Sequence, residues 1–237
     1  MRDNEIKRKM ENYEKLIRNI LKAFSKVEFH IVVESTIGKK IIPVDMENEE
    51  DKLLLEDIRT IVDSFAKEYY ENPITSELYK SMVGSEKSRS FRNNEVGLFA
   101  EKMLPSFFEE NKDKLKVIKS FERLPLVGYP DIEITHKSGR FTYLEVKATS
   151  RRDVGSPRDF FFSPLKNTKK KIKQDAHHLL ICFDTYEQKE KEFIITGWCL
   201  IDLFNVKVSM KPEFNADNLE LYKRENVLIE VRFDKEK

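Results

Sequence analysis

The 237-residue sequence has few of the residues on which several kinds of site depend. It contains two cysteines, four histidines and seven glycines. Two cysteines give no support to a zinc cluster, and we predict that Cys182 and Cys199 are reduced thiols in buried strands. The dispersed glycines form no phosphate-binding loop, and no Ser-His-Asp arrangement can be assembled. Apolar runs long enough to span a bilayer and an N-terminal signal core are also missing, so we expect a cytoplasmic protein without membrane contact.

An excess of charge of one sign is missing too, but the charges are unevenly distributed. Charged residues make up 36% of the chain and the formal net charge is +1. Between Lys137 and Lys173, eleven basic residues stand against three acidic ones. Such a stretch can bind a phosphate backbone, although for Lys169 to Lys173 alone an ordinary solvated helix face is the default interpretation. The candidate DNA contacts are Arg151, Arg152, Arg158, Lys166, Lys169 and Lys170.

A predicted hairpin follows Pro130. Residues 131–135 and 141–147 alternate polar and apolar side chains, and the polar run between them contains Gly139. Side chains two apart share one face of a strand, so Glu145 and Lys147 point the same way. Asp131 lies at the far end of the partner strand and is placed to meet them. Two carboxylates and an ammonium group are therefore expected to converge at an edge of the sheet.

This combination suits hydrolysis of a phosphodiester with a bound divalent metal ion. Magnesium takes oxygen ligands, commonly one or two carboxylates together with water and phosphate oxygens. Asp131 and Glu145 would supply the carboxylates. Lys147 could orient or deprotonate the attacking water and offset charge in the transition state.

The same residues resemble the signature of the PD-(D/E)XK nuclease superfamily, here Pro130-Asp131 followed by Glu145-Val146-Lys147. Glu-any-Lys alone is common in this charged chain, but its other occurrences lie in strongly polar surroundings. Glu145 lies within an apolar strand, at hairpin distance from the only Pro-Asp pair. The other occurrences are Glu5/Lys7, Glu50/Lys52, Glu110/Lys112 and Glu187/Lys189.

A helix is predicted from Phe91 to about Phe108, because apolar residues recur there at helical spacing. The resemblance implies that a glutamate on this helix completes the metal site, and Glu95 is the candidate. Glu95 could instead be a first-turn glutamate favoured by the helix dipole. Glu101 is a weaker substitute for the metal role.

The resemblance also implies a function. It indicates a type II restriction endonuclease that requires Mg²⁺, acts as a homodimer on a short palindrome in double-stranded DNA, and leaves 5′-phosphate and 3′-hydroxyl ends. A cognate DNA methyltransferase is then expected in the host. Two alternatives stay open: a structure-selective nuclease, such as a junction resolvase or repair enzyme, and a non-catalytic DNA-binding protein on the same fold.

The predicted fold class is α/β, with a central mixed sheet flanked by helices and an N-terminal α+β subdomain. We place the subdomain at residues 1–84, for dimerisation or DNA wrapping, and the nuclease core at residues 85–237. The subdomain is expected to contain a hairpin around Gly38, formed by Val27 to Val33 and Lys40 to Val44, and a helix from Glu47 to Tyr70. In the core, a helix from Leu165 to His177 should precede a buried strand.

Overall fold

The structure is a computed structural model that describes residues 12–19, 26–83, 91–150, 160, 167–209 and 223–228. The chain divides into two compact units. One comprises Met1–Val27 with Val208–Lys237, and residues 12–19 within it are helical. The other, Glu28–Lys207, contains the main sheet.

The main sheet has six strands in the order β2-β7-β6-β5-β4-β3. Strands β5 and β6 run parallel, and every other neighbouring pair is antiparallel, so the sheet is mixed. Two further short strands, β1 and β8, pair with each other. The strands are β1 (Val27–Glu28), β2 (Ile74–Thr75), β3 (Ile118–Arg123), β4 (Ile132–His136), β5 (Phe141–Thr149), β6 (His177–Lys189), β7 (Glu192–Asp202) and β8 (Lys207–Val208).

Five α-helices among the described residues of this unit accompany the sheet. The two long ones, α2 and α4, pack against each other and against the sheet, and their apolar faces form one continuous core with strands β3 to β7. This arrangement confirms the predicted α/β class. The helices are α1 (Phe29–Ile37), α2 (Glu49–Glu71), α3 (Ser76–Val83), α4 (Asn93–Asn111) and α5 (Asn167–Lys171). No helix among the described residues is both long and apolar enough to cross a membrane.

The hairpin predicted after Pro130 is confirmed. Strands β4 and β5 pair antiparallel, with Ile132 opposite Leu144, and Gly139 adopts a positive φ of 92° in the turn. Strand β5 then continues beyond the end of β4 and is covered on its other edge by β6. Cys182 and Cys199 lie opposite each other on β6 and β7, and both are only partly buried, whereas the sequence predicts buried positions.

The hairpin expected around Gly38 is wrong, because residues 29–37 form helix α1. Phe29, Val32 and Val33 are buried, and their spacing is that of one helix face rather than of a strand. Gly38 has a φ of 75° and closes the helix by donating its N–H to the Glu34 carbonyl. A glycine that can begin a hairpin can equally cap a helix, since both positions require positive φ.

The helix predicted from Leu165 to His177 is also wrong at its C-terminal end. Helix α5 ends at Lys171, and His177 begins strand β6. His177 and His178 are fully buried in the sheet, so neither caps a helix end. The boundary expected between residues 84 and 85 lies within residues 84–90, outside the described residues, and stays a prediction.

Helix α2 is tied to the start of β3 by the buried carboxylate of Asp57. Both of its oxygens accept the Lys116 N–H, at 2.8 and 3.0 Å, and Oδ2 also accepts the N–H groups of Val117 (2.8 Å) and Ile118 (2.9 Å). The neighbouring Glu56 makes only an exposed ion pair with the Lys116 ammonium group. Asp57 therefore satisfies three backbone donors at the start of β3.

Replacing Asp57 by alanine should lower the free energy of unfolding by about 3 kcal/mol or more, because buried N–H groups lose their acceptor. The control is Glu56→Ala, which removes a surface ion pair and should cost less than about 1 kcal/mol. Denaturant unfolding of both variants measures the difference. Equal losses would contradict the anchoring role of Asp57.

Candidate active site

Asp131 immediately precedes strand β4, at the point past which β5 continues without β4 as its neighbour. Its own N–H donates to the Leu144 carbonyl (3.0 Å), and its carbonyl accepts the Leu124 N–H (2.8 Å), so its backbone is held from both neighbouring strands. Its carboxylate Oδ2 accepts the N–H of Val146 on β5 (2.9 Å). The side chain is thereby turned toward the segment of β5 that carries Glu145 and Lys147.

Glu145 is 2% exposed, and its Oε2 has no hydrogen-bond partner among the described residues. Burial, and then repulsion from the Asp131 carboxylate, raise the pKa of Glu145 to about 8, although the Lys147 ammonium group opposes this shift. Strand β5 lies in the middle of the sheet, which explains why a carboxylate at this position is so poorly hydrated. An added cation would favour the ionised carboxylate and give Oε2 a partner.

Lys147 shares the Glu145 face of β5, as the period-2 pattern predicts, and its ammonium group contacts Glu145 Oε1 directly. Burial lowers the pKa of Lys147, but the Glu145 and Asp131 carboxylates more than offset this effect, so its pKa lies above the ordinary value. Lys147 is therefore a cation in this arrangement. About a quarter of its side chain remains exposed, which leaves access from solvent.

Glu101, on α4, faces the same site. Burial and repulsion from Asp131 raise the pKa of Glu101, while Arg123 opposes the rise. Arg123, at the end of β3, approaches Glu101 Oε1 through NH2 at 2.6 Å and through Nε at 2.7 Å. The sequence makes Glu101 the weaker candidate, and its partly buried position beside Arg123 is the feature that favours it.

Glu95 occupies a different environment at the first turn of α4. Its Oε2 accepts the N–H of Arg92, the residue just before the helix, at 3.0 Å. It also helps to raise the pKa of the Tyr79 hydroxyl, after burial. Glu95 thus has the capping role that the sequence left open, and its role as a metal ligand stays a prediction.

A second lysine near the carboxylates was not singled out from the sequence. Lys171 is 3% exposed, whereas its neighbours Lys169 and Lys170 are exposed. Burial lowers the pKa of Lys171, and the Asp131, Glu145 and Glu101 carboxylates oppose this shift. Six charged groups of both signs therefore influence one another here: Asp131, Glu145, Glu101, Lys147, Lys171 and Arg123.

Helix α4 crosses β5 directly behind these residues at Gly97. A Cβ atom on Gly97 would lie 3.3 Å from the Ala148 nitrogen and 3.6 Å from the Lys147 Cα. The helix backbone can approach the strand this closely only because residue 97 has no side chain. Gly97 therefore sets the spacing between the helix that carries Glu101 and the strand that carries Lys147.

Two of the six predicted DNA contacts lie among the described residues. Lys169 and Lys170 are exposed on α5, in the helix that also carries Lys171. Arg151, Arg152, Arg158 and Lys166 lie outside the described residues.

The donor set is compatible with a hard divalent cation. Asp131 and Glu145 supply oxygen ligands, and the orphaned Oε2 of Glu145 is a donor atom that a cation would satisfy. No group of three or more His, Cys, Asp or Glu side chains among the described residues is arranged to hold a metal ion. Two carboxylates are nevertheless within the usual protein contribution to a magnesium site, which keeps several waters.

Comparison with known proteins identifies the family of the chain. A model of the type II restriction enzyme MjaV family matches residues 21–225. The chain belongs to this family. The type II restriction enzyme MjaV of Methanocaldococcus jannaschii is 31% identical over 229 residues, which cover 93% of this chain and 95% of that protein. The match to the MjaV family includes all six charged residues of the site. No solved structure gave a significant match.

The raised pKa of Glu145 predicts how stability depends on pH in this MjaV family member. In EDTA, the folded state holds a proton on Glu145 up to about pH 8, whereas the unfolded state releases it near 4.5. Folding therefore becomes less favourable as pH rises through this interval. Between pH 5 and 8, the free energy of unfolding should therefore fall by on the order of 1–3 kcal/mol less in Glu145→Gln than in the wild type.

Thermal or denaturant unfolding at several pH values in EDTA measures this slope. Glu190→Gln, at an exposed turn position, is the control and should keep the wild-type slope. A Glu145→Gln protein with the wild-type slope would show that Glu145 ionises normally.

Proposed function

We propose that this protein is a Mg²⁺-dependent, sequence-specific endonuclease of double-stranded DNA that acts as a type II restriction enzyme. The observation that carries the proposal is the convergence of Asp131, Glu145 and Lys147 at the point where β4 leaves β5. Family membership agrees with it, since the family is named for a type II restriction enzyme. The resemblance to the PD-(D/E)XK superfamily supports the same site residues.

Each residue has a role in this proposal. Asp131 and Glu145 would hold the magnesium ion, whose bound form supplies Lewis acidity and a more acidic water. Asp131 is oriented for this role by its bond to the Val146 N–H, and Glu145 by its contact with Lys147. The Lys147 ammonium group would position the attacking water and offset negative charge on the phosphate in the transition state. The expected products carry 5′-phosphate and 3′-hydroxyl ends.

Glu101 is proposed as the third acidic residue of the site in preference to Glu95. Two observations support Glu101: the Asp131 carboxylate helps to raise its pKa, and Arg123 forms an ion pair with it. Glu95 instead bonds to the start of its own helix. Glu101 would act through water, which agrees with a two-carboxylate inner set. Arg123 would hold Glu101 in place.

The DNA contacts and the assembly are the remaining parts of the proposal. The exposed Lys169 and Lys170 would contact the phosphate backbone, and we extend this role to Arg151, Arg152, Arg158 and Lys166 from sequence. Two copies would act together on the two strands, a state that sedimentation with and without DNA can measure. A methyltransferase would protect the DNA of the host.

The deciding experiment is digestion of long, unmethylated duplex DNA with the purified protein, in magnesium and in EDTA. We expect discrete fragments in magnesium only, from which the recognition sequence and cut position can be mapped. Intact duplex together with cleaved branched DNA would instead indicate a structure-selective nuclease. Binding without cleavage of either substrate would indicate a non-catalytic DNA-binding protein.

Asp131→Ala and Lys147→Ala should each reduce the cleavage rate by about 10³-fold or more, because each removes a group that acts on the reacting phosphate. DNA affinity measured in calcium should change much less. Robust cleavage by either variant would contradict the site assignment. A parallel loss of affinity would show that the residue binds the duplex rather than serving the reaction.

Glu101→Gln and Glu95→Gln form a matched pair on one helix. We expect Glu101→Gln to lower the cleavage rate by about 10- to 100-fold, as for residues that support metal ligands. Glu95→Gln should stay within about threefold of wild type, with at most about 1 kcal/mol lost from the helix end. The reverse order of effects would return the third acidic role to Glu95.

A further inference from the structure

Lys171 is a buried lysine whose hydrogen-bond partners among the described residues are carbonyl oxygens. Its ammonium group donates to the carbonyl of Gly128 and to that of Pro130, the latter at 2.5 Å. These carbonyls lie on either side of Tyr129, immediately before Asp131. A lysine from α5 thus holds the backbone that leads into the candidate active site.

The Tyr129 ring, which packs against other aromatic rings, also supports this backbone. Pro130 has no N–H to donate, and Gly128 adopts a φ of 98°, a conformation that a glycine reaches without strain. The Tyr129 side chain is 1% exposed, and its hydroxyl group makes a 2.6 Å hydrogen bond with His178 Nδ1 on β6. Residues 128–130, which we call the Asp131 approach, are therefore held by Lys171 through their carbonyls and by His178 through Tyr129.

Burial of an ammonium group is costly unless other groups compensate. Two carbonyls provide part of this compensation, and the nearby carboxylates of Asp131, Glu145 and Glu101 add to it, although burial still keeps the pKa of Lys171 below its ordinary value. A methionine would fill similar space without the cost, but it could not donate hydrogen bonds. The positive charge of Lys171 therefore interacts with the same acidic groups that the proposed reaction uses.

We propose that Lys171 is a positioning residue for the active site: it fixes the Asp131 approach so that the Asp131 carboxylate stays on the Val146 N–H, facing Glu145. The assignment of a catalytic consequence rests on the proposed function. The geometric part does not, because the Val146 N–H reports the position of Asp131 whether or not the protein cleaves DNA.

The test compares Lys171→Met with Lys170→Met, its exposed neighbour on the same helix. Amide hydrogen exchange of Val146 is measured in the DNA-free protein, with the ladder amide of Ile181 in β6 as an internal reference. Loss of the Asp131 bond should accelerate Val146 exchange by about tenfold or more in Lys171→Met, with no change at Ile181. Asp131→Ala supplies the value for complete loss, and Lys170→Met should match wild type.

Cleavage kinetics provide the second measurement. At saturating DNA, Lys171→Met should cut about 10²-fold more slowly, because a small displacement of a reacting group is enough for such a loss. Its DNA affinity in calcium should stay near that of wild type. Lys170→Met should show the opposite pattern, with weaker binding and a retained rate at saturation.

The outcomes separate the two proposals. Accelerated Val146 exchange in a protein that cuts no DNA would sustain the positioning role and reject the nuclease. Wild-type Val146 exchange in a folded Lys171→Met protein would overturn the positioning role, even if cleavage were lost. If Lys171→Met fails to fold, Lys171→Gln, which keeps one amide donor, takes its place. It should show intermediate Val146 exchange, and unchanged exchange would overturn the proposal.

Discussion

The burial of Glu145, and then its repulsion from the neighbouring Asp131 carboxylate, govern the arrangement of charges around them. Asp131 is stabilised by a strand N–H, and Glu145 by the ammonium group of Lys147. Lys171 and Arg123 add positive charge behind and beside them. This compensation remains incomplete, since Glu145 keeps a raised pKa and an oxygen with no hydrogen-bond partner in the part of the chain that the structure describes. Because positive charge is insufficient here, binding of a further cation would be favourable.

The part of the site that sequence could predict is the part governed by local periodicity. Glu145 and Lys147 are two residues apart on one strand, so their common face follows from the strand geometry. The position of Asp131 beside them follows from the length of the hairpin that joins β4 to β5. Glu101 and Lys171 could not be found this way, because their positions depend on how α4 rotates against the sheet and where α5 ends. Glu95 and Glu101 lie on the same helix, and sequence alone does not distinguish a metal-binding glutamate from one that bonds to the start of its own helix.

The errors in the fold prediction have related causes. Residues 29–33 are rich in β-branched and aromatic side chains, which favour strands, but tertiary packing of Phe29, Val32 and Val33 makes them helical. The predicted helix before β6 was extended to His177, although the buried histidines belong to the sheet. His177 donates through Nδ1 to the Ile42 carbonyl, and His178 bonds to Tyr129, contacts that are distant in sequence. Long-range polar partners of this kind leave no periodic pattern.

The close approach at Gly97 has a consequence for protein engineering. Replacing a helical glycine with alanine is a common route to greater thermal stability, since alanine favours the helix and restricts the unfolded chain. At residue 97 the added methyl group would press on the backbone of Lys147 and Ala148. Any gain in helix stability would then be accompanied by a shift of the strand that bears the proposed catalytic lysine, and activity would fall. Thermostable variants should therefore be sought on the exposed face of α4, with residue 97 left as glycine.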